Sequence, residues 1–275
     1  KGDREQEEFK KLVVYLKRLW FSNGIYHHYG CEKILPEFSP EFLKAALRQV
    51  NSKLPLRDGQ TVDALCEDLF PVIFDPSVLP KRVNKNAGED LVKTSACNFY
   101  EQVTQQEAEI FYGAMKDVAD EEPPSYGLNS KLIKKDGTLV EEKWTTEGMY
   151  APAIRQIVYW LGKARNYAEN QQQEKVIDLL IEYYRTGDLR IFNSYSIEWL
   201  KEKDGNIDFV NGFIEVYGDP LGIKGSWEGI VEFKDLEATK RTQIISSNAQ
   251  WFEDHSPVDA RFKKQTVRGI TANVV

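Results

Sequence analysis

A strand, a turn and a returning strand follow one another over residues 209–233, and this segment constrains the fold more than any other part of the chain. From residue 209 to residue 217, aliphatic residues or glycine alternate with larger or polar ones, which is the period of a β-strand. The sequence Asp219-Pro220-Leu221-Gly222 is typical of a turn, because proline presets φ and glycine accepts a positive φ. A second strand is predicted over residues 227–233. The segment therefore predicts a β-hairpin.

The alternation gives the first strand two different faces. The face that we expect to be buried carries Val210, Gly212, Ile214 and Val216. Glu215 and Tyr217 lie on the opposite face with Phe213, roughly 6 to 7 Å apart along the strand, where both can contact one extended ligand. This pair is therefore the best candidate for chemistry in the chain. The alternative is a half-exposed hairpin on which Glu215 and Tyr217 simply face water.

Local start and stop signals predict that much of the remaining chain is helical. Ser39 and Pro40 form an N-cap followed by a first-turn proline. Thr104 and Glu107 form a capping box, in which each side chain satisfies the backbone N–H of the other residue. Pro71 is expected to end the third helix. Helices are predicted from Ser39 onward and over residues 5–20, 61–70, 103–118, 152–168, 171–184, 194–203 and 234–253.

Two further segments are predicted to form β-structure. Residues 128–133 and 138–144 read as a hairpin about Asp136-Gly137, a pair that suits a tight turn. Residues 268–275 are rich in β-branched side chains and are predicted to begin another strand. These strands and those of the central hairpin are expected to share one small sheet.

The fold class that follows is α+β: a mostly helical lobe packed around a small, barrel-like, antiparallel-rich β-core. The sequence Glu121-Glu122-Pro123-Pro124-Ser125 breaks the helical pattern and marks an internal boundary. We expect a helical part over residues 1–122 and the β-core with its packed helices over residues 123–275. Both parts would belong to one continuous lobe.

Composition argues against two classes of partner. A net charge of −7 and a pI of about 5.3 disfavour nucleic acid, which would need a basic surface. No apolar run approaches the roughly 18 residues needed to cross a membrane. An aromatic-rich region would serve as a stacking platform only with a positive groove, so we expect these rings to pack in the core instead. They are Tyr159, Trp160, Tyr167, Tyr183, Tyr184, Phe192, Tyr195 and Trp199.

The cysteines and histidines give little support for a disulfide framework or a metal site. The three cysteines are widely spaced, and we expect reduced thiols in a cytoplasmic protein. Cys31 lies near His27 and His28, which raises the alternative of a zinc site. Adjacent histidines do not form an i, i+4 pair, and no Cys-x-x-Cys pair completes four ligands. We therefore expect no metal site here and interpret both histidines as polar packing in a loop.

Two separated motifs of the chain match those of a known family. The first is Gly-Phe-Ile-Glu-Val-Tyr-Gly-Asp-Pro-Leu-Gly at residues 212–222, followed by Lys-Gly-Ser-Trp-Glu-Gly at residues 224–229. The second is Ser-Asn-Gly-Ile-Tyr-His-His-Tyr at residues 22–29, in which Tyr26 stands where the family usually has histidine. Both resemble dipeptidyl peptidase III, a family of zinc-dependent exopeptidases that remove dipeptides from the amino end of short peptides. The resemblance implies a piece of a longer, two-lobed enzyme.

The resemblance also implies where the zinc ion is bound. The zinc motif of that family, His-Glu-x-x-Gly-His with a later Glu-Glu-x-x-Ala-Asp/Glu, does not occur in these residues. One zinc ion would therefore be bound by residues outside this chain, in a zinc lobe that this chain accompanies. We expect that the chain alone does not hydrolyse peptides.

By the same resemblance, Glu215 and Tyr217 line the substrate cleft. Glu215 would pair with the free amino terminus of a short peptide, and Tyr217 would donate a hydrogen bond to the scissile carbonyl oxygen as that oxygen gains charge. The peptide would lie along the sheet edge as an added strand. The alternatives are a non-catalytic peptide-binding module, an inactive relative of the family, or an interaction domain in which both residues are ordinary surface residues.

Overall fold

The computed structural model describes residues 3–267 and residue 274. The chain forms two compact units. The first unit comprises the residues up to Trp144 together with the returning segment Glu215–Ser226, and the second comprises Thr145–Ile214 and the residues from Trp227 onward. The division predicted between residues 122 and 123 stays a prediction.

The helices of the first unit begin at the predicted caps. The Ser39 hydroxyl accepts the N–H of Phe42 at 3.3 Å. The capping box is complete, because Glu107 accepts the N–H of Thr104 at 3.0 Å and Thr104 accepts the N–H of Glu107 at 3.2 Å. Among the described residues, the α-helices of this unit are α1 (Asp3–Ser22), α2 (Pro40–Gln49), α3 (Val62–Phe74) and α4 (Gln105–Gly113).

Two predicted helix ends in this unit are wrong. Helix α3 continues through Pro71 to Phe74. The proline removes only its own backbone N–H from the helix, and its carbonyl still accepts the N–H of Asp75 at 3.2 Å. The Phe74 ring packs edge-on against the ring of Phe38 at 5.7 Å, which favours the extra helical turn. Helix α4 ends at Gly113, earlier than its prediction, because glycine disfavours a helix interior.

The first unit also contains a three-stranded sheet in the order β1-β2-β3: β1 (Tyr100–Glu101), β2 (Ser130–Lys135) and β3 (Thr138–Lys143). Strands β2 and β3 form the predicted antiparallel hairpin, and the φ values of 49° at Asp136 and 80° at Gly137 confirm its tight turn. Strand β1 pairs in parallel with β2, with Tyr100 opposite Leu132. The buried cluster between the sheet and α4 contains Val103, Ala108, Tyr112 and Leu132.

Three helices open the second unit. The Asn170 side chain caps one of them by accepting the N–H of Gln173 at 2.8 Å, and Gly187 ends it in the left-handed conformation at φ 65°, as predicted. The next helix begins earlier than predicted, because Asp188 caps it by accepting the N–H of Arg190 at 2.8 Å. These helices are α5 (Ala151–Ala164), α6 (Gln171–Thr186) and α7 (Leu189–Lys201).

Aromatic residues of α6 and α7 form much of the core of the second unit. The Phe192 ring lies 4.6 Å from that of Tyr183 and 5.5 Å from that of Tyr195, and both tyrosines are buried. The prediction of core packing is wrong for three of the predicted aromatic residues. Tyr159, Trp160 and Tyr167 are exposed to water, at 52%, 64% and 85% respectively.

The strands of the central hairpin are β4 (Ile207–Glu215) and β5 (Ser226–Phe233). The prediction of the buried face is wrong in part, because Phe213, from the opposite face, is buried, whereas Val210 and Ile214 are half-buried. Helix α6 supplies the reason. The Tyr184 hydroxyl donates to the side-chain oxygen of Asn211, and its ring lies 6.4 Å from that of Phe213.

The helix predicted over residues 234–253 is interrupted, so this expectation is wrong. It forms α8 (Leu236–Ser247) and α9 (Ala249–His255), separated at Asn248. The Asn248 amide donates to the Ile244 carbonyl at 2.7 Å, so its side chain competes with the backbone for the end of α8. Apart from Val274, the strand predicted over residues 268–275 lies outside the described residues.

The mixed α+β class is confirmed, but the expected barrel is not present in the described part of the chain. The predicted strands belong to two separate sheets, one of three strands and one of two. Closure would require every strand to pair along both edges, and neither sheet meets that condition among these residues. Within residues 3–267, none of the helices combines the length and the apolar character that crossing a membrane requires.

Candidate functional site

Glu215 and Tyr217 lie at the end of β4, on the segment that belongs to the first unit. The strand ends at Glu215, so the prediction that Tyr217 is part of it is wrong. The reason is a turn: the N–H of Asp219 bonds the Val216 carbonyl at 3.0 Å, which places Tyr217 at the second position of a β-turn. That both residues act on one ligand stays a prediction.

Both side chains are open to a ligand. Tyr217 is 63% exposed and Glu215 is half-buried. In the part of the chain that the structure describes, neither side chain has a hydrogen-bond or ion-pair partner. A carboxylate accepts hydrogen bonds and a phenol donates or accepts them, so each can bind a ligand group without first losing a bond inside the protein.

The buried carboxylate of Asp219 organises the backbone that follows Tyr217. One of its oxygens accepts the N–H groups of Ile223 and Lys224, both at 2.9 Å, and the other accepts that of Leu221 at 3.2 Å. The Asp219 carbonyl accepts the N–H of Gly222 at 3.1 Å, which closes a second turn. Gly222 has φ 66°, a conformation that glycine adopts without strain. Two successive turns therefore share one residue.

A second buried charge, Lys224, connects this segment to the rest of the first unit. Its Nζ donates to the hydroxyl of Ser130 on β2 at 2.9 Å and to the hydroxyl of Tyr112 on α4. Both hydroxyls donate to Glu141 on β3, at 2.6 Å from Ser130 and 3.0 Å from Tyr112. Lys224 and Asp219 are each 0% exposed. The ammonium group therefore reaches a carboxylate through two hydroxyl groups.

Tyr100 on β1 completes the network by donating its hydroxyl to Asp219 at 2.8 Å. The N–H of Gly225 adds a backbone bond to the Leu128 carbonyl at 2.7 Å. The segment after β4 is thus bonded directly to β1, β2 and α4 of the first unit, and to β3 through the hydroxyls of Ser130 and Tyr112. We call the following six residues the buried clasp: Tyr100, Tyr112, Ser130, Glu141, Asp219 and Lys224.

Burial dominates the electrostatics of the clasp. It lowers the pKa of Lys224 from 10.5 to about 8, although the carboxylates of Glu141 and Asp219 oppose the shift. Burial, followed by the nearby Asp219 carboxylate, raises the pKa of Tyr100, and burial with Glu141 raises that of Tyr112. Both phenols therefore stay neutral and serve as hydrogen-bond donors.

The second unit contains a different feature, an apolar cavity of about 400 Å³. Two side-chain amides line this cavity. The amide of Gln173 donates a hydrogen bond to the Ile207 carbonyl at 2.9 Å, and the amide oxygen of Asn211 accepts one from the Tyr184 hydroxyl. The lining has no carboxylate, amine or imidazole, so it offers packing rather than acid–base chemistry. The remaining lining residues are Leu161, Ala164, Tyr167, Ile177, Phe209, Trp227, Gly229, Ile230 and Val231.

Of the two histidines after α1, His27 has the polar loop packing that the sequence predicts, whereas Nδ1 of His28 is buried without a hydrogen-bond partner among the described residues. His27 Nδ1 accepts the N–H groups of Tyr29 at 3.3 Å and Gly30 at 3.0 Å, and its ring stacks on that of His28 at 4.8 Å. Across the described residues, no group of three or more histidine, cysteine, aspartate or glutamate side chains is placed to hold a metal ion. These residues therefore do not fit the zinc ion that the family resemblance implies.

The clasp is not evident from sequence patterns, although two of its members lie in predicted features. Asp219 belongs to a predicted turn and to the first family motif, and Lys224 belongs to that motif. Their partners are distant in sequence: 94 residues separate Lys224 from Ser130, and 119 separate Asp219 from Tyr100. Periodicity and capping signals act over a few residues, so they carry no information about such pairs.

Comparisons with known proteins give a family match and a set of relatives. The model of Peptidase family M49 matches residues 93–269, which is more than half of the chain. Dipeptidyl peptidase 3 of Rattus norvegicus is 24% identical over 94% of this chain, and that of Homo sapiens is 22% identical over 94%. A solved structure of DPP III from Caldithrix abyssi covers 96% of this chain at 18% identity with a TM-score of 0.51, which indicates a similar fold.

The coverage of the relatives is partial. This chain spans 38% of the length of both dipeptidyl peptidases and 46% of the solved chain. The matched residues 93–269 include Glu215, Tyr217 and the whole clasp, whereas His27 and His28 lie outside them.

Proposed function

Because the chain belongs to peptidase family M49, we propose that it forms the substrate-binding part of a dipeptidyl peptidase that releases dipeptides from the amino terminus of short peptides. The observation that carries the proposal is the pair formed by Glu215 and Tyr217. Both are accessible, both lack a partner among the described residues, and both adjoin a turn fixed by buried charges. A preorganised pair of this kind loses little conformational freedom when it binds a ligand.

Each member of the pair has a role that its chemistry supports. The Glu215 carboxylate pairs with the protonated amino terminus of the peptide, and this charge-assisted bond fixes the end from which the dipeptide is counted. The Tyr217 phenol donates to the scissile carbonyl oxygen. That bond strengthens as the oxygen gains negative charge, so it stabilises the transition state more than the bound substrate.

The family's zinc ion is assigned to residues outside this chain, since the described residues do not fit it. The chemistry that such an ion would supply is Lewis-acid polarisation of the carbonyl and activation of water, and no residue of this chain is assigned to hold it. The proposed enzyme acts in the cytoplasm, where thiols stay reduced, which suits three cysteines that are all free: Cys31, Cys66 and Cys97.

The proposal is tested with a chromogenic dipeptidyl arylamide. Cleavage and bound zinc are measured for the 275-residue chain and for the full-length protein that contains it. We expect that only the full-length protein binds about one zinc ion and turns over. Zinc binding or cleavage by the short chain would show that the metal assignment is wrong, and His27, His28, Cys31 and His255 would become candidate ligands.

A full-length protein that does not cleave the arylamide would contradict the proposed activity. The affinity of the short chain for unlabelled peptides then separates the two alternatives. Binding that is lost on Glu215→Gln substitution would indicate a peptide-binding module or an inactive relative. Absence of binding would indicate an interaction domain in which Glu215 and Tyr217 are ordinary surface residues.

A further inference from the structure

We propose that Lys224 and Asp219 are positioning residues: from within the buried clasp they hold the turn that carries Tyr217, and thereby set the rate at which a bound peptide reacts. This inference rests on the proposed function of Glu215 and Tyr217. Both positioning residues are 0% exposed, so they act through the backbone and not by touching the peptide.

A short stretch of backbone connects the exposed phenol of Tyr217 to the buried carboxylate of Asp219. The β-turn that holds Tyr217 is closed by the N–H of Asp219 on the Val216 carbonyl. The carboxylate of Asp219 accepts three further N–H groups, those of Leu221, Ile223 and Lys224. The backbone of Asp219 takes part in both turns and its side chain fixes the residues that follow, so a displacement of Asp219 would disturb both turns together.

These turns are also attached to the rest of the first unit. Lys224 bonds hydroxyl groups on β2 and α4, and Asp219 bonds the hydroxyl of Tyr100 on β1. The segment also packs tightly: a methyl group placed on Gly127 would lie 2.7 Å from side-chain atoms of both Ile223 and Tyr112. The turns therefore have no room to shift while the clasp is intact.

The clasp contains one ammonium group, Lys224, and two carboxylates, Glu141 and Asp219. Replacement of Lys224 by a neutral side chain would leave the buried carboxylate of Asp219 and the half-buried one of Glu141 without their cation, which is more disruptive than the removal of a whole ion pair. Arginine keeps the positive charge, although its larger head must be accommodated. The charge should therefore matter more than the shape of the side chain.

A displaced Tyr217 should affect turnover more than binding. The phenol contributes in the transition state, whereas Glu215 supplies ground-state affinity through the peptide amino terminus. A misplacement of about 1 Å can cost roughly a hundredfold in rate. We therefore expect Lys224→Met to lower kcat by roughly tenfold to a hundredfold with little change in KM, and Lys224→Arg to restore part of the loss.

The decisive experiment is a double-mutant cycle in the full-length protein, with cleavage of a dipeptidyl arylamide as the readout. Lys224→Met is made alone and together with Tyr217→Phe, and the exposed Lys143→Met serves as the matched control. If the clasp acts through the phenol, Lys224→Met should lower kcat by less than about twofold once Tyr217 is phenylalanine. Equal loss in both backgrounds, or no loss in either, would overturn the inference.

A second variant allows the test even if Lys224→Met does not fold, and a second readout allows it even if the protein shows no cleavage. If Lys224→Met does not fold, Ser130→Ala removes one acceptor of the ammonium and enters the same cycle. Amide hydrogen exchange at Leu221 and Ile223 is measured in parallel, and exchange should accelerate there and not in α6. Faster exchange in Lys224→Met than in the wild type, when the full-length wild type cleaves nothing, would mean that the proposed function fails while the clasp stands. Unchanged exchange with normal cleavage would reject the clasp.

Discussion

At the scale of single residues, Lys224 shows how the molecule balances desolvation against attraction. Its pKa falls to about 8 although two carboxylates favour its charged form, so desolvation outweighs their attraction. At neutral pH the side chain still carries its proton. The two hydroxyls that accept hydrogen bonds from it, those of Tyr112 and Ser130, in turn donate hydrogen bonds to Glu141. The exposed Tyr217 differs completely, because nothing in the described residues depends on its hydroxyl for stability.

Replacement of Tyr217 by phenylalanine should therefore separate function from stability. We expect kcat/KM of the full-length protein to fall by roughly tenfold to a hundredfold. The loss of one hydrogen-bond donor to a developing oxyanion usually lowers the rate somewhat more, by roughly a hundredfold to a thousandfold. The free energy of unfolding should change by less than about 0.5 kcal/mol, because the side chain is 63% exposed. Arylamide kinetics and urea unfolding measure the two quantities. Tyr167→Phe, at a side chain with 85% exposure, is the control and should change neither.

The shifted pKa of Lys224 predicts a specific dependence of stability on pH. Between about 8, its pKa in the folded protein, and 10.5, its ordinary pKa, the unfolded chain binds a proton that the folded protein does not. The stability of the wild type should therefore rise relative to Lys224→Met by about 1.4 kcal/mol per pH unit within this range, and the difference should be constant at lower pH. Urea unfolding at about pH 7, 8, 9 and 10 tests this, since a constant difference throughout would contradict the shift.

At the scale of secondary structure elements, β4 is covered by helices at both buried residues near its end. Phe213 contacts Tyr184 of α6, and Gly212 lies beneath the Phe192 ring of α7. A methyl group on Gly212 would lie 2.9 Å from that ring, which is itself held between Tyr183 and Tyr195. Glycine at this position is therefore explained by the close approach of α7 to the strand and by its φ of 156°, which other residues rarely adopt.

Gly212→Ala should consequently destabilise the second unit by about 1–3 kcal/mol, the usual cost of overpacking a core. The matched control is Gly162→Ala on the helix α5 of the same unit. Nothing lies within 4 Å of a methyl group there, and alanine favours helix by up to about 1 kcal/mol. Thermal unfolding of both variants gives the comparison. A neutral Gly212→Ala would show that Phe192 can move aside.

The sequence range of each interaction explains which elements the sequence could predict. The capping box of Thr104 and Glu107 spans three residues, and the turn at Asp136-Gly137 spans two, so local signals found both. The buried face of β4 was mistaken because Tyr184, which covers it, lies 27 residues from Asn211. The alternation along the strand made Glu215 and Tyr217 the candidates, and the family motifs supplied their proposed roles, because no periodic pattern alone distinguishes them from surface residues.

At the scale of the whole molecule, the first unit is built from two separated parts of the chain. Residues up to Trp144 supply α4 and the three-stranded sheet, and Glu215–Ser226 supplies the two buried charges that bond to them. The second unit comprises the intervening residues Thr145–Ile214 and the residues from Trp227 onward. The solved DPP III from Caldithrix abyssi aligns with 96% of this chain, and the alignment covers 46% of that solved chain.

The separation in sequence has a consequence for how the protein is made. Ribosomes add about 5–20 residues each second, so Tyr100, Tyr112 and Glu141 leave the ribosome several seconds before Asp219 and Lys224 exist. During that interval Tyr100 lacks the carboxylate that accepts its hydroxyl, and Glu141 lacks the cation that faces it, so the clasp cannot be completed. We expect the candidate substrate turn to be among the last parts of the first unit to form, after the helices that follow Trp144 in the chain have been synthesised.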